Sequence, residues 1–204
     1  MAKMKPIKAA IIGLGRIGWN EHANKLRKNN NFEITGVVDV MADRRAQAEK
    51  ELGCRAYPNI GALLKNADCE MVVVATRSID HYKHTMQSLK AGKHVVVEKP
   101  AAINLDQMNR MIQASKRYKK VFTVHQNHRL KDNALYIKKL IDSGIIGKVF
   151  EIKRTDHKFN LRNDWQTLKK NGGGMMFNAG THTIDCCLYL MDSPIQEIWG
   201  DMKH

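Results

Sequence analysis

Glu98-Lys99-Pro100 directly follows the apolar run Val95-Val96-Val97, so the Lys99 ammonium is carried on the end of a strand-like segment. Proline fixes its own φ and biases the residue before it toward an extended conformation, which aims Lys99 from a rigid position. A second informative group, Gly13-Leu14-Gly15-Arg16-Ile17-Gly18, follows an apolar run that begins at Ala9 and leads into a helix-like segment. In that context the first glycine makes the strand-to-helix turn and the second lets backbone approach a pyrophosphate. The third lets helix and strand pack closely, and the phosphates rest on unpaired N–H groups at the helix start. Asp39 closes the strand-like run Ile34–Val38, at the spacing of about 20 residues from the glycines at which a carboxylate meets the adenosine ribose. Such a carboxylate accepts from the ribose hydroxyls and repels a 2′-phosphate, which favours NAD; Arg44 and Arg45 close by leave NADP open. A nicotinamide reaching from the glycine turn toward the later strand end would place its reacting carbon beside Lys99. Hydride transfer from a secondary alcohol needs a base within about 3 Å of the hydroxyl and gains from a nearby cation.

The elements that must position these groups alternate through about residue 125. Strands are expected at Ala9–Gly13, Ile34–Val38, Cys54–Tyr57, Met71–Ala75, His94–Val97 and Val121–Val124. Helices are expected at Asp43–Leu52, Ile60–Lys65, His81–Lys90 with Ser78 as cap, and Asn104–Tyr118. The unbroken apolar character of Met71–Ala75 is that of a strand covered on both faces. Alternation of this kind implies an α/β fold, a doubly wound parallel sheet whose ligands gather at the carboxyl ends of its strands.

Composition removes several other classes. The 204 residues exceed one domain, and no stretch approaches the roughly 18 apolar residues of a membrane span. The basic start Lys3, Lys5, Lys8 runs into the glycine turn after a short apolar run, so no signal peptide is expected. The net charge of +14 comes from lysines scattered in ones and twos over helix-like segments, the pattern of solvated faces, and a dedicated nucleic-acid role is not expected. Cys54, Cys69, Cys186 and Cys187 have neither metal-ligand nor disulfide-framework spacing, which fits reduced thiols in a cytoplasmic protein. His81 with His84, and His125 with His128, lie three apart without a third ligand, so no metal is expected.

Taken together, the N-terminal glycine turn, Ala91-Gly92-Lys93-His94-Val95-Val96-Val97-Glu98-Lys99-Pro100, and Gly172-Gly173-Gly174 leading to Asn178, Gly180, His182 and Asp185 resemble a known family. It is the glucose-fructose oxidoreductase and inositol dehydrogenase family of nicotinamide-dependent sugar and polyol oxidoreductases, and the resemblance spans about residues 7 to 200. It implies that Lys99 hydrogen-bonds the substrate hydroxyl beside the nicotinamide, that His182 is the acid/base, and that Glu98 and Pro100 position Lys99. On a helix Asn178, His182 and Asp185 stand at i, i+4 and i+7 and share one face. Two positions depart from the family pattern. Asn178 replaces a frequent aspartate, and an amide orients a hydroxyl but accepts no proton. Thr76-Arg77-Ser78 replaces a proline and asparagine that approach the cofactor. The expected cofactor-binding set is therefore Gly13, Gly15, Arg16, Ile17, Gly18, Asp39, Thr76, Glu98 and Lys99, and the expected catalytic set Lys99, His182, Asn178 and Asp185.

The expected division is a dinucleotide-binding domain over 1–125 and a partial substrate and oligomerisation domain over 126–204, the incomplete start of an α+β domain with an open mixed sheet. An apolar helix face is expected from Ala134, Ile137, Leu140 and Ile141 within 129–143. Strands are expected at Lys148–Thr155 and Ile195–Trp199, and Arg162 and Trp165 are expected in a substrate loop over 156–170. A half-built sheet exposes an edge and invites self-association, so a homo-oligomer is expected. Three functions stand at this point: a dehydrogenase acting on a sugar, polyol or sugar nucleotide, a non-catalytic dinucleotide-binding sensor or scaffold, and a polyanion-binding module.

Overall fold

Six parallel strands form one sheet in the order β3-β2-β1-β4-β5-β6 in the computed structural model, which describes residues 5–157 and 161–201. The strands are β1 Ile7–Ile12, β2 Phe32–Val38, β3 Arg55–Tyr57, β4 Met71–Val74, β5 His94–Val97 and β6 Phe122–Val124. Their apolar residues alternate between two cores. Ile12, Val38, Val72 and Val97 pack on one side of the sheet with Leu63 and Leu89, while Ile11, Val37 and Val73 pack on the other with Leu14, Ala23 and Ala48. Both faces are thus covered, as the unbroken apolar strands require. The order reverses direction between β1 and β4, and the crevice at such a switch point is where a doubly wound sheet receives its ligand.

The helices follow their local signals closely. Helix α1 has π-type pitch over Gly18–Ala23 and α pitch over Asn24–Leu26, and α2 (Ala42–Leu52) ends on Gly53 at φ +64°. Helix α3 (Ile60–Asn66) is capped by Asn59, whose side chain accepts from Ala62 N at 2.9 Å. Asn104 caps α5 (Leu105–Arg117) in the same way, accepting from Gln107 N at 2.9 Å. Helix α4 (Ser78–Lys90) corrects one expectation: Ser78 lies inside it, Arg77 occupies the cap position, and no side chain caps its start.

Beyond β6 the expectations need more correction. The 129–143 segment is a 3-10 turn, Asn127–Leu130, followed by α6 (Asp132–Asp142), with Ala134 buried but Ile137 exposed. No strand forms at 148–155 or 195–199 among the described residues, and Phe150 is 88% exposed. Alternation alone does not make a strand: its backbone N–H and C=O groups need a neighbouring strand, and neither run has one here. Short 3-10 turns at Trp165–Thr167 and Lys169–Asn171 lead into α7, π-type over Met176–Gly180 and α over Thr181–Met191. Residues 158–160 of the expected substrate loop lie outside the described residues. Among the described residues no helix is long and apolar enough to cross a membrane.

Candidate active site

At the carboxyl ends of β1 and β2 the glycine turn is held by contacts only glycine permits. Gly13 has φ +92°, and a Cβ on Gly18 would stand 1.8 Å from the Gly13 carbonyl oxygen. A Cβ on Gly15 would meet nothing nearer than Arg44 Nη1 at 4.0 Å, so that side of the turn is open. Asp39 is buried beside it, with Oδ2 accepting from Leu14 N at 2.8 Å and Oδ1 from Met41 N at 2.9 Å, and Arg44 Nη1 lies 3.4 Å from Oδ2. An open glycine backbone at a helix start beside a buried carboxylate fits a dinucleotide, whose pyrophosphate Gly15 to Ile17 would hold and whose ribose Asp39 would hold. Arg16 is exposed on this turn and Ile17 half-buried. Thr76, at the end of β4, directs its hydroxyl to His84 Nδ1 at 3.1 Å, while its carbonyl is 3.0 Å from His81 Nε2. The other His81 nitrogen is 2.7 Å from the Pro100 carbonyl, so this buried ring ties the β4 and β5 ends together. Burial pushes its pKa down, and a neutral imidazole donates at only one of the two contacts. Arg77 turns away to Asp80 (3.1 Å) and Asn171 (3.4 Å).

At the end of β5, Glu98 faces inward. Its Oε1 accepts from His22 Nε2 at 2.8 Å and His125 Nδ1 at 2.7 Å, and its Oε2 accepts from Lys99 N at 3.2 Å. Burial raises its pKa, but the hydrogen bonds from His125 and His22 outweigh it and hold the carboxyl well below the usual range. Glu98 thereby joins α1, the Lys99 peptide and the exit of β6. The three side chains offer ligand atoms within 4.8 Å of one another, the one metal-like cluster among the described residues. Separations of 2.7 and 2.8 Å are those of hydrogen bonds; tetrahedral zinc ligands at about 2.0–2.1 Å from the metal stand some 3.3 Å apart.

Lys99, half-buried, points its ammonium at α7. It donates to the Asn178 carbonyl at 2.9 Å and lies 3.4 Å from Asn178 Oδ1, which also accepts from Gln166 Nε2 at 3.2 Å. Burial lowers the Lys99 pKa, the Arg16 and Arg162 charges lower it further, and Glu98 opposes them. One turn along α7, His182 Nδ1 is 2.6 Å from Gln126 Oε1, and its ring stacks on His128 with centroids 3.6 Å apart. Burial first, then the Lys99 and His128 charges, push the His182 pKa down to about 4. Asp185 faces elsewhere, taken by Arg129 in a bidentate pair of 2.5 and 2.9 Å. The expected helical face therefore divides: Asn178 and His182 reach the Lys99 region, and Asp185 anchors α7 to the segment after β6. A cleft of about 380 Å³ adjoins them, lined among others by Lys99, Gln126, Phe177 and Thr181. Trp165 borders a smaller hollow with Lys99 and Asn178, and Arg162 pairs with Asp164 and Gln166. Gln126, His128 and His22 carry no sequence signal of these roles. Only the position of Gln126 and His128 just past a strand's carboxyl end points to the site.

Residues 7–126 match the family described as an oxidoreductase family with an NAD-binding Rossmann fold, and residues 134–204 match the GFO/IDH/MocA C-terminal domain. The D-glucoside 3-dehydrogenase of Escherichia coli is 26% identical over 193 residues, covering 93% of this chain and 55% of the relative. The myo-inositol 2-dehydrogenase of Thermotoga maritima is 27% identical over 196 residues, covering 96% of this chain and 58% of the relative. Among solved structures, an NAD-binding protein from Listeria innocua superposes with a TM-score of 0.86 at 34% identity, over 93% of this chain and 56% of that one. The chain spans about half the length of the curated relatives it matches. On the family match across both segments, the chain belongs to the GFO/IDH/MocA oxidoreductase family, with its NAD-binding Rossmann domain at the N-terminal end.

Proposed function

We propose that this chain is the coenzyme-binding and proton-handling part of an NAD(P)-dependent oxidoreductase that interconverts a hydroxyl and a keto carbon of a sugar, polyol or sugar nucleotide. The observation that carries this is the meeting of the Lys99 ammonium with the α7 segment bearing His182, at the carboxyl edge of the sheet beside an open cleft. A bound nicotinamide supplies the acceptor or donor of hydride. Lys99 holds the substrate oxygen and stabilises charge developing on it, and His182, neutral near pH 7, takes the hydroxyl proton. Asn178 orients the Lys99 ammonium without titrating. The D-glucoside and myo-inositol dehydrogenase relatives support a polyhydroxylated substrate. A division near residue 125 between the coenzyme and substrate regions agrees with this reading.

Lys99→Ala should lower turnover about 10³-fold while the NADH dissociation constant, followed by coenzyme fluorescence, moves less than threefold. Undiminished turnover removes Lys99 from the chemistry. A second reading, a dinucleotide-binding scaffold without catalysis, is favoured by Asn178, which cannot take a proton. Coenzyme binding without hydride transfer across a panel of inositols, glucosides and sugar nucleotides would select it.

A further inference from the structure

We infer that Gln126 sets the tautomer of His182, placing the ring hydrogen on Nδ1 and leaving Nε2 as the bare proton acceptor; this rests on the oxidoreductase reading above. Gln126 is the second residue past β6, and its amide spans two groups of α7. Its Nε2 donates to the Thr181 carbonyl at 3.2 Å and its Oε1 lies 2.6 Å from His182 Nδ1. A backbone carbonyl only accepts, so the NH2 end of the amide must face Thr181 and the oxygen must face His182. An amide oxygen also only accepts, so Nδ1 must carry the hydrogen. A flipped amide would set oxygen against oxygen at Thr181.

Among the described residues His182 Nε2 has no hydrogen-bond partner, and His128 stacked at 3.6 Å fixes the plane of the ring. Neither residue spaced with His182 on its helix touches the imidazole, since Asn178 faces Lys99 and Gln166 and Asp185 is held by Arg129. A neutral amide thus does the orienting that a carboxylate does in charge-paired acid/base sites. The charged and titratable groups around the ring are Lys99 from β5, His128 and Lys131 from the segment after β6, and Glu98. Three of these oppose an imidazolium, and the orienting amide adds no charge to offset them. In the oxidation direction hydride would pass from the C–H bond to a bound nicotinamide as the hydroxyl O–H bond breaks; the proton would pass to His182 Nε2, while Nδ1 keeps its hydrogen and donates it to Gln126 Oε1. Gln126 acts as a positioning residue.

Long-range ¹H–¹⁵N spectra of the unaltered chain should show His182 as the neutral Nδ1–H tautomer. Gln126→Leu should turn it to the Nε2–H form or a mixture and lower hydride transfer about 10²-fold, with NADH affinity changed less than twofold. Gln126→Glu should keep Nδ1–H and raise the His182 titration midpoint by a unit or more, moving the acid limb of the rate profile with it. An Nε2–H tautomer in the unaltered chain, or a leucine variant with the same tautomer, overturns the inference. A glutamate variant whose midpoint does not move does so as well. If the unaltered chain transfers no hydride, the oxidoreductase reading fails, and the spectra alone still decide the role of Gln126.

Discussion

An imidazole beside an ammonium is a base whose strength is set by its neighbours, and this gives Lys99 a measurable effect apart from turnover. Burial is the largest cause of the depressed His182 pKa and the Lys99 charge the next, so Lys99→Met should raise the midpoint from about 4 toward 6.5 without reaching it. A histidine whose folded pKa is depressed contributes stability that is fully present above its unfolded pKa and lost as pH falls. Here that loss runs from about 6.5 down through about 4, and the methionine variant should narrow the window from below. Titrating the His182 ring by NMR in both proteins checks this; equal midpoints would place the ammonium out of reach of the ring. The place of Lys99 at a strand end was legible in the sequence because its signal is local, a strand followed by proline. Gln126 was not, because its partners Thr181 and His182 lie 55 and 56 residues away. His22 was hidden for the same reason, meeting Glu98 across 76 residues.

The glycine turn and Glu98 show how elements convert sequence into site. Gly18 is the tightest approach in the turn: an alanine methyl would stand 1.8 Å from the Gly13 oxygen, so α1 must shift away from β1. Gly18→Ala should cost about 3 kcal/mol or more and weaken NADH binding sharply, because the same shift moves the N–H groups meant for phosphate. Gly53→Ala is the control. That residue has φ +64° with open space around it, so only the backbone penalty of about 1 kcal/mol applies and coenzyme affinity should stay as it is. Denaturant melts and fluorescence titrations of both variants separate the two causes, and similar losses in both would mean that the turn has slack. The Rossmann elements were legible to within about three residues at their ends because apolar runs mark them with local chemistry, whereas the Asn59 and Asn104 caps come from the structure alone. The 148–155 and 195–199 runs misled because alternation says which residues could face a core, while only a neighbouring strand makes the element.

At the scale of the whole molecule the two parts differ in how completely they cover their apolar surface. The sheet buries both faces, whereas the segment after β6 exposes Leu130, Ile145 and Phe150, and α7 with its tail exposes Ile184, Ile198 and Trp199. Ile198 and Trp199 are 80% and 84% exposed, and apolar side chains gathered in this way favour association between molecules. The net charge of +14 opposes that association through repulsion between like-charged copies. Repulsion is screened over about 10 Å at 0.1 M salt and about 3 Å at 1 M, while apolar attraction is not weakened by salt. The chain should therefore sediment mainly as a monomer in dilute buffer and as larger species when sodium chloride is raised, at unchanged secondary structure. Trp199→Lys combined with Ile198→Lys should suppress the shift, because the pair removes apolar area and adds two like charges at one place. Sedimentation velocity across a salt series decides it: a mass that falls with salt would mean that charge pairing, not the apolar surface, brings copies together.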